Sequence, residues 1–496
     1  MLQCEESKLT GLHANVTHCA GHGFIGLWQD DKSEIGEGAM RRRYFIKRMI
    51  GAATVASAGS ASAFSFGRIA GANDRVQIGL IGCGGRGTYD AKLMRAVGKV
   101  DFTAVCDVYE PHATAAGAWA GPQCRAYRDF RKLLEQKDVD AVLIATPDHW
   151  HAIPAVLACQ AGKDVYVEKP LAHTVKEGRA MVDAARRYGR IIQAGTQHRS
   201  APHYREVTRI IQSGELGPVH FVRVWNYVNM DPDGIGRSPD TAPPPGLDWN
   251  FYLGPAPQVP FNKNRFLVTY RWFWDYAGGM ATDFGTHRFD TVHQVMGVDA
   301  PLTAAAAGGR YVLKDGADTP DTLQITYEYP SFVLSYEASM VNSHGLGART
   351  PGMTYYLARG QDDRPHGEAY YGTRGTLFAD RIGFEIYPEI KGESGPGALN
   401  STSDASKGYR MHRKRVSAAD ATDLHVKNFI ECVRSRQKPV ADVEIGHRST
   451  VVSHLGNIAY LTKGKIRWDA AKEEIVADPQ ASALLGREAR KPWDLI

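Results

Sequence analysis

The sequence predicts an α/β chain whose first ordered part is a doubly wound parallel sheet, followed by an α+β part. Three observations predict it. From residue 75 to about residue 194, apolar runs of strand length alternate with helix-length segments. The first of these runs, VQIGLI, passes directly into Gly82-x-Gly84-x-x-Gly87. Beyond residue 197 the alternation stops, and two strand patterns, 321–329 and 331–339, pair across Pro330.

In chain order, residues 1–39 are polar and lack periodicity, and read as an extension upstream of a true start at Met40. A basic segment with Arg42-Arg43-Tyr44-Phe45-Ile46-Lys47, a short apolar run and Ala61-Ser62-Ala63 follow. Together these form a secretory signal over 40–63 of the twin-arginine type, too short to be a permanent membrane span. The expected location is therefore periplasmic or otherwise exported, with the twin-arginine translocase as a partner during export. Substrates of that route leave the cytoplasm folded, which suits an enzyme that must first acquire a dinucleotide there. The seven cysteines include no C-x-x-C pair. Cys83, Cys106 and Cys159 sit in apolar contexts that suit small buried residues. A formal charge of +5 is spread thinly, with no basic stripe carrying interleaved aromatics, so nucleic-acid binding is not expected.

Within 75–196, strands are expected at 76–81, 102–106, 141–145, 164–167 and 191–194, with helices at 88–97, 130–135, 151–161 and 175–188. The glycine turn lets backbone N–H groups approach a diphosphate at the positive end of the next helix. The second strand ends on Asp107, 20 residues past Gly87, where a carboxylate accepts hydrogen bonds from a ribose. No Arg follows immediately, because the next residues are Val108-Tyr109-Glu110. NAD is therefore expected in preference to NADP. Ligands on a parallel sheet bind beyond the carboxyl ends of its strands. Three polar motifs stand at such ends: Thr146-Pro147-Asp148-His149-Trp150-His151, Glu168-Lys169-Pro170 and Gly195-Thr196-Gln197-His198-Arg199. All three point to one cleft.

The second part, 197–470, shows helix patterns at 204–213, 423–434 and 448–460 and a strand at 219–225. A long Pro/Gly/Asp-rich loop, 230–260, is of the kind that is usually functional. Residues 392–407 read as a Gly/Ser-rich surface loop, and 471–496 as a C-terminal tail. Asp283 and His287 are four apart, so on a helix they share one face. His287 suits the role of base for a hydroxyl proton. The Lys169 ammonium suits stabilisation of the oxygen it leaves. Taken alone, a Lys before Pro also reads as a solvated strand end, and an Asp/His pair as a surface hydrogen bond. Arg271, Trp272 and Trp274 suit a sugar, although core aromatics explain the Trp pair equally well. Gln197 and Arg199 stand where they can reach a substrate from the junction of the two parts. No further ligand cluster accompanies His149/His151 or Asp283/His287, so no metal site is expected.

The turn Gly82-Cys83-Gly84-Gly85-Arg86-Gly87, the TPDHWHA motif at 146–152, Glu168-Lys169-Pro170 and the later Asp283-x-x-x-His287 resemble the Gfo/Idh/MocA oxidoreductases. The resemblance spans about residues 75–468. It implies an NAD(P)-binding Rossmann domain and an α+β domain. The open, mainly antiparallel sheet of that second domain packs on the cofactor and often forms the face of a homo-oligomer, a dimer or tetramer. It assigns Lys169 and His287 to catalysis, with Asp283 in the same constellation. It places His151 beside the nicotinamide ribose and Thr146 and Pro147 along the cofactor. Gly82, Gly84, Gly85, Arg86, Gly87, Asp107, Glu168, Lys169 and Gln197 complete the cofactor set. The expected activity is hydride transfer between a nicotinamide and a secondary hydroxyl or ketone of a sugar or polyol, with tightly retained cofactor. An alternative is glycoside cleavage through transient oxidation at C3 and elimination. Relatives of that kind carry a Thr-His-Gly motif, from which Gly285-Thr286-His287-Arg288 departs. A third reading is a sugar-binding protein without turnover.

Overall fold

The computed structural model describes residues 75–345, 364–392 and 407–494. The expected extension 1–39, the signal 40–63 and nearly all of the 392–407 loop lie outside these residues.

The first sheet has six parallel strands in the order β3-β2-β1-β4-β5-β6. They are β1 (Val76–Ile81), β2 (Val100–Cys106), β3 (Arg125–Tyr127), β4 (Ala141–Ile144), β5 (Asp164–Val167) and β6 (Ile192–Ala194). Helices α1 (Gly85–Ala96), α2 (Glu110–Ala120), α3 (Phe130–Leu134), α4 (Ala152–Gln160) and α5 (Val175–Tyr188) make the crossovers. The central strands are almost wholly apolar because helices cover both faces. Helix α5 starts where Thr174 accepts a bond from the Glu177 amide and stops at Gly189 in the left-handed conformation. Register aligns the strand ends: Ile81 pairs with Cys106 and Ile144, Ile144 with Val167, and Val167 with Ala194. The loops after these strands therefore open on one rim.

The second sheet has ten strands in the order β16-β15-β14-β13-β7-β12-β11-β10-β17-β18. It is antiparallel throughout except for the parallel pair β12 and β7. After α6 (Pro202–Gln212) come β7 (Val219–Tyr227), β8 (Asp240–Thr241), α7 (Trp249–Leu253), β9 (Phe261–Asn262) and α8 (Thr286–Met296). Strands β10 (Thr303–Gly309), β11 (Thr322–Glu328), β12 (Val333–Ser339), β13 (His366–Gly372), β14 (Gly375–Asp380), β15 (Gly383–Pro388) and β16 (Lys414–Ser417) follow. Helices α9 (Thr422–Ser435) and α10 (Val443–Thr462), strands β17 (Ile466–Asp469) and β18 (Glu474–Ile475) and α11 (Pro479–Ala483) complete the chain. One core joins the inner face of this sheet to α6, α8 and α10 through Val222, Tyr336, Phe289, Val292 and Leu455.

Two late segments join the first sheet. Val426, Phe429 and Ile430 of α9 are buried in the same cluster as Val76, Leu80 and Met94. Trp493 stacks on Phe251 at 5.1 Å and meets Trp150 edge-on at 4.8 Å.

Candidate active site

Local packing demands the glycine turn. Gly82 has φ +89°, and a Cβ there would lie 2.6 Å from the Ala145 carbonyl oxygen. A Cβ on Gly87 would lie 2.1 Å from the Gly82 oxygen, so strand and helix meet only through glycines. Gly85 differs, because a Cβ there would meet nothing within 4 Å. Helix α1 opens at Gly84 without a side-chain cap, so its positive end faces that open space. Asp107 accepts 2.8 Å bonds from the Cys83 and Tyr109 amides, which aim a carboxylate with lone pairs to spare at the rim. The 230–260 loop returns to this point: Glu110 N–H donates to the Gly246 oxygen and Asp248 N–H to the Val108 oxygen, both at 2.9 Å. A bare helix terminus, an open cradle and a ribose-directed carboxylate fit the adenosine diphosphate portion of NAD.

Lys169 and Asp283 meet across the rim. Lys169 Nζ donates to Asp283 Oδ1 at 2.6 Å and to the Asp283 backbone oxygen at 2.7 Å. Arg271 Nε donates to the same Oδ1 at 3.1 Å, and its guanidinium lies 4.9 Å above the Tyr270 ring. The Tyr270 hydroxyl donates in turn to Asp148 Oδ1 at 3.1 Å. Burial works against ionisation of Asp283, but Lys169 and Arg271 outweigh it and hold the carboxyl at about 2. Asp148 has burial as its main influence and is pushed up.

Asp283 and His287 stand four residues apart across the start of α8 and have different partners. Asp283 lies in a π-helical turn, Ala281–Gly285, that precedes α8. The carboxylate of Asp283 turns to Lys169 and Arg271, while the His287 ring stacks on His198 with centroids 4.9 Å apart. Burial, then His198 and Lys169, drive His287 well below the usual imidazole range, so the ring is neutral.

Buried polar atoms without a partner in the protein gather near this pair: Thr146 Oγ1, Thr196 Oγ1, Gln197 Oε1, both ring nitrogens of His198, and His287 Nδ1. Buried polar groups are normally bonded. A band of donors and acceptors at the ends of β4 and β6 suits a ribose and a carboxamide.

Other expected site residues are engaged elsewhere. His151 has Nδ1 2.7 Å from the Pro170 oxygen and Nε2 3.0 Å from the Thr146 oxygen, between two rim loops, and a neutral ring donates to one of these carbonyls at a time. Glu168 is buried against Arg86, which donates to it from Nε at 3.1 Å. Arg199 forms a fork with buried Asp290, at 2.9 Å from Nη2 to Oδ1, so its charge is paired inside the fold. Trp272 belongs to the main core. Trp274 is half-buried, stacks on Tyr460 at 6.3 Å and donates to the Asp318 oxygen. Arg271 alone of the three expected sugar contacts stands at the Lys169–Asp283 pair. Tyr270 and His198 escaped the sequence reading of roles. Adjacency to Arg271 and to Gln197 was the available signal for each. Among the described residues no group of three or more His, Cys, Asp or Glu side chains is placed to hold a metal.

Residues 76–196 match the oxidoreductase family pattern of the NAD-binding Rossmann fold, and residues 203–329 and 406–495 match that family's C-terminal alpha/beta domain. The chain belongs to the Gfo/Idh/MocA oxidoreductase family. Among curated members, it is 25% identical over 225 residues to the uncharacterized oxidoreductase YrbE of Bacillus subtilis, covering 45% of this chain and 54% of that protein. It is 23% identical over 384 residues to myo-inositol 2-dehydrogenase of Thermotoga maritima, covering 76% of this chain and 94% of that one. The chain spans a third to about half the length of the first curated relatives it matches. A solved levoglucosan dehydrogenase, in complex with NADH and levoglucosan, superposes with a TM-score of 0.57 at 17% identity, over 79% of this chain and 99% of that one. At that identity the likeness between this Gfo/Idh/MocA chain and the solved structure is one of fold.

Proposed function

We propose that this chain is an NAD-dependent oxidoreductase that transfers hydride between the nicotinamide and a secondary hydroxyl or ketone of a sugar or polyol. The observation that carries the reading is the Lys169 ammonium. Of its three N–H donors, two are taken by Asp283, and the third is left for a substrate oxygen. NAD, when bound, supplies the hydride acceptor. Lys169 holds the substrate oxygen and stabilises negative charge as it develops there. His287, kept neutral by burial, accepts the hydroxyl proton on a ring nitrogen. Asp283 fixes Lys169, and Arg271 stands beside the same carboxylate, where it borders the substrate's space. Gly82, Gly84, Gly85, Gly87 and Asp107 hold the cofactor's adenosine side, and Thr146, Thr196 and Gln197 its nicotinamide side.

The sugar or polyol class is supported by the name of the Thermotoga maritima relative, an inositol dehydrogenase, and by the levoglucosan in the complex of similar fold. The remaining organisation follows the sequence: an extension over 1–39, a twin-arginine signal over 40–63, a cofactor domain over 75–196 and a substrate domain over 197–470. The mature chain works as an exported homo-oligomer that carries its NAD with it.

The test is purified full chain with NAD and, in turn, myo-inositol and levoglucosan, followed by NADH absorbance. Turnover that drops by about 10²-fold or more in Lys169→Met and in His287→Ala, with NAD affinity unchanged in His287→Ala, is the result expected. Undiminished turnover in His287→Ala overturns its role as base.

A further inference from the structure

Behind the glycine turn, the buried carboxyl groups of Asp90 and Glu168 meet the half-buried Arg86. Arg86, the second residue of α1, has Nε 3.0 Å from Asp90 Oδ2 and 3.1 Å from Glu168 Oε1, with Nη2 3.0 Å from the latter oxygen. Asp90 is completely buried, and Glu168 almost so. Two carboxyl groups facing one guanidinium leave an excess negative charge where water does not reach. Taking up a proton costs far less than burying that charge, so one carboxyl is neutral. The contacts say which one. Glu168 accepts the one directed hydrogen bond, from Arg86 Nε, has Nη2 in ionic contact and adjoins Lys169, whereas neither oxygen of Asp90 accepts a well-directed hydrogen bond. The electrostatics agree: burial, then the charge of Glu168, push Asp90 well up. Burial opposes ionisation of Glu168 too, but Arg86 and Lys169 hold it down.

We infer that Asp90 is a positioning residue whose carboxyl proton keeps the Arg86–Glu168 pair electrically balanced beneath the diphosphate seat, so that NAD affinity depends on that proton. The inference rests on residues 82–87 being that seat. Arg86 stands in the first turn of α1, beside the open cradle at Gly84 and Gly85. Loss of the Asp90 proton places an extra negative charge one helical turn below an approaching diphosphate and draws Arg86 inward, and both effects oppose binding.

Around Asp90, Arg86 and Tyr89 come from α1; Tyr166, Glu168 and Lys169 come from β5 and its end. His425 of α9 meets the Tyr166 ring edge-on at 5.9 Å, and His287 of α8 senses Arg86. Burial drives the Tyr166 hydroxyl well up and the His425 imidazole down to about 4, so both are neutral across the middle pH range. His287 is neutral there as well. His112, 3.6 Å from Asp107 at the seat, and Asp420 and Asp423, which bear on Tyr89, are shared by every variant, so the difference between the unaltered protein and Asp90→Asn reads Asp90. Cys83, in the turn itself, has its thiol pushed well up by burial and behaves alike in all variants.

The experiment is the dissociation constant of NAD for the full chain, by calorimetry or tryptophan quenching, from pH 5 to pH 10. In the unaltered protein it rises by roughly tenfold with pH, the size expected for one buried charge at that range. Asp90→Asn, isosteric and neutral, keeps the low-pH affinity throughout. Glu168→Gln also flattens the profile, since one carboxylate then faces Arg86 alone, and it carries the test if Asp90→Asn does not fold. Parallel pH profiles in the unaltered protein and both variants overturn the inference while leaving the cofactor seat intact. Absence of NAD binding at every pH overturns the seat as well, and with it the proposed function.

Discussion

At the residue scale, Asp283 is bound by two cations at once, by Lys169 through both its carboxylate and its backbone oxygen and by Arg271 through the carboxylate. Its carboxyl, at about 2, lies below the ordinary aspartate value despite burial. The sign of the linkage follows. A lowered folded-state value means that this group supports stability above about pH 4, and that the support is lost as pH falls toward about 2. Asp283→Asn is therefore expected to reduce the drop in Tm between pH 6 and pH 3, measured by thermal denaturation. It is also expected to lower turnover by about 10²-fold, because Lys169 loses the anion that aims it. An unchanged acid sensitivity would contradict the ionic role. The grouping of Lys169, Asp283 and His287 was legible through the family resemblance, since each motif alone also reads as a solvated strand end or a surface pair. Asp90 was not, although it stands four residues after Arg86, the spacing of an ordinary exposed helix pair. Its surroundings come from the end of β5 and from α9, and α9 lies more than three hundred positions later in the chain.

At the element scale, the β1–α1 turn separates two uses of glycine. Gly87 is required for packing, whereas Gly85 borders open space. Gly87→Ala is expected to lower Tm, costing about 1–3 kcal/mol as an overpacked contact. Gly85→Ala is expected to leave Tm unchanged and weaken NAD binding at least tenfold by placing a methyl group in the diphosphate cradle. Differential scanning fluorimetry with and without NAD reads both. Equal effects of the two substitutions on Tm would remove the distinction. The strands and helices flanking this turn were legible, since apolar period and capping chemistry act over a few residues. Helix α5, from Thr174 to Gly189, is a plain case. The π-helical turn at Ala281–Gly285 was not legible. A wider winding is selected by what its side chains meet, here Lys169 and Arg271 on Asp283 and the Tyr336 hydroxyl on the Met280 oxygen.

At the scale of the whole molecule, the cofactor half is not closed by its own residues. Phe429 and Ile430 of α9 fill the core beside β1 and α1, and Trp493 packs on the loop and helix near Trp150 and Phe251. A chain that must be complete before its cofactor half is packed is also one that gains by folding and loading before export. The proposed twin-arginine route allows that order. Replacing both Arg42 and Arg43 with Lys is expected to hold the protein, folded and with NAD, in the cytoplasmic fraction of the host cell, as read by fractionation and cofactor release. Unimpaired export of that variant would exclude the route.

The strand–turn–helix at 76–96, the carboxylate at Asp107 and the three polar motifs at strand ends were set locally, by apolar periodicity, glycine spacing and the rule that parallel strands open their loops on one rim. Partner choice was decided in three dimensions. Arg199 went to Asp290, Trp272 to the core, His151 to two backbone oxygens and Asp90 beneath Arg86. A side chain's charge and shape are written in one residue. What neutralises or buries it comes from segments distant in sequence, and only the folded chain brings them together.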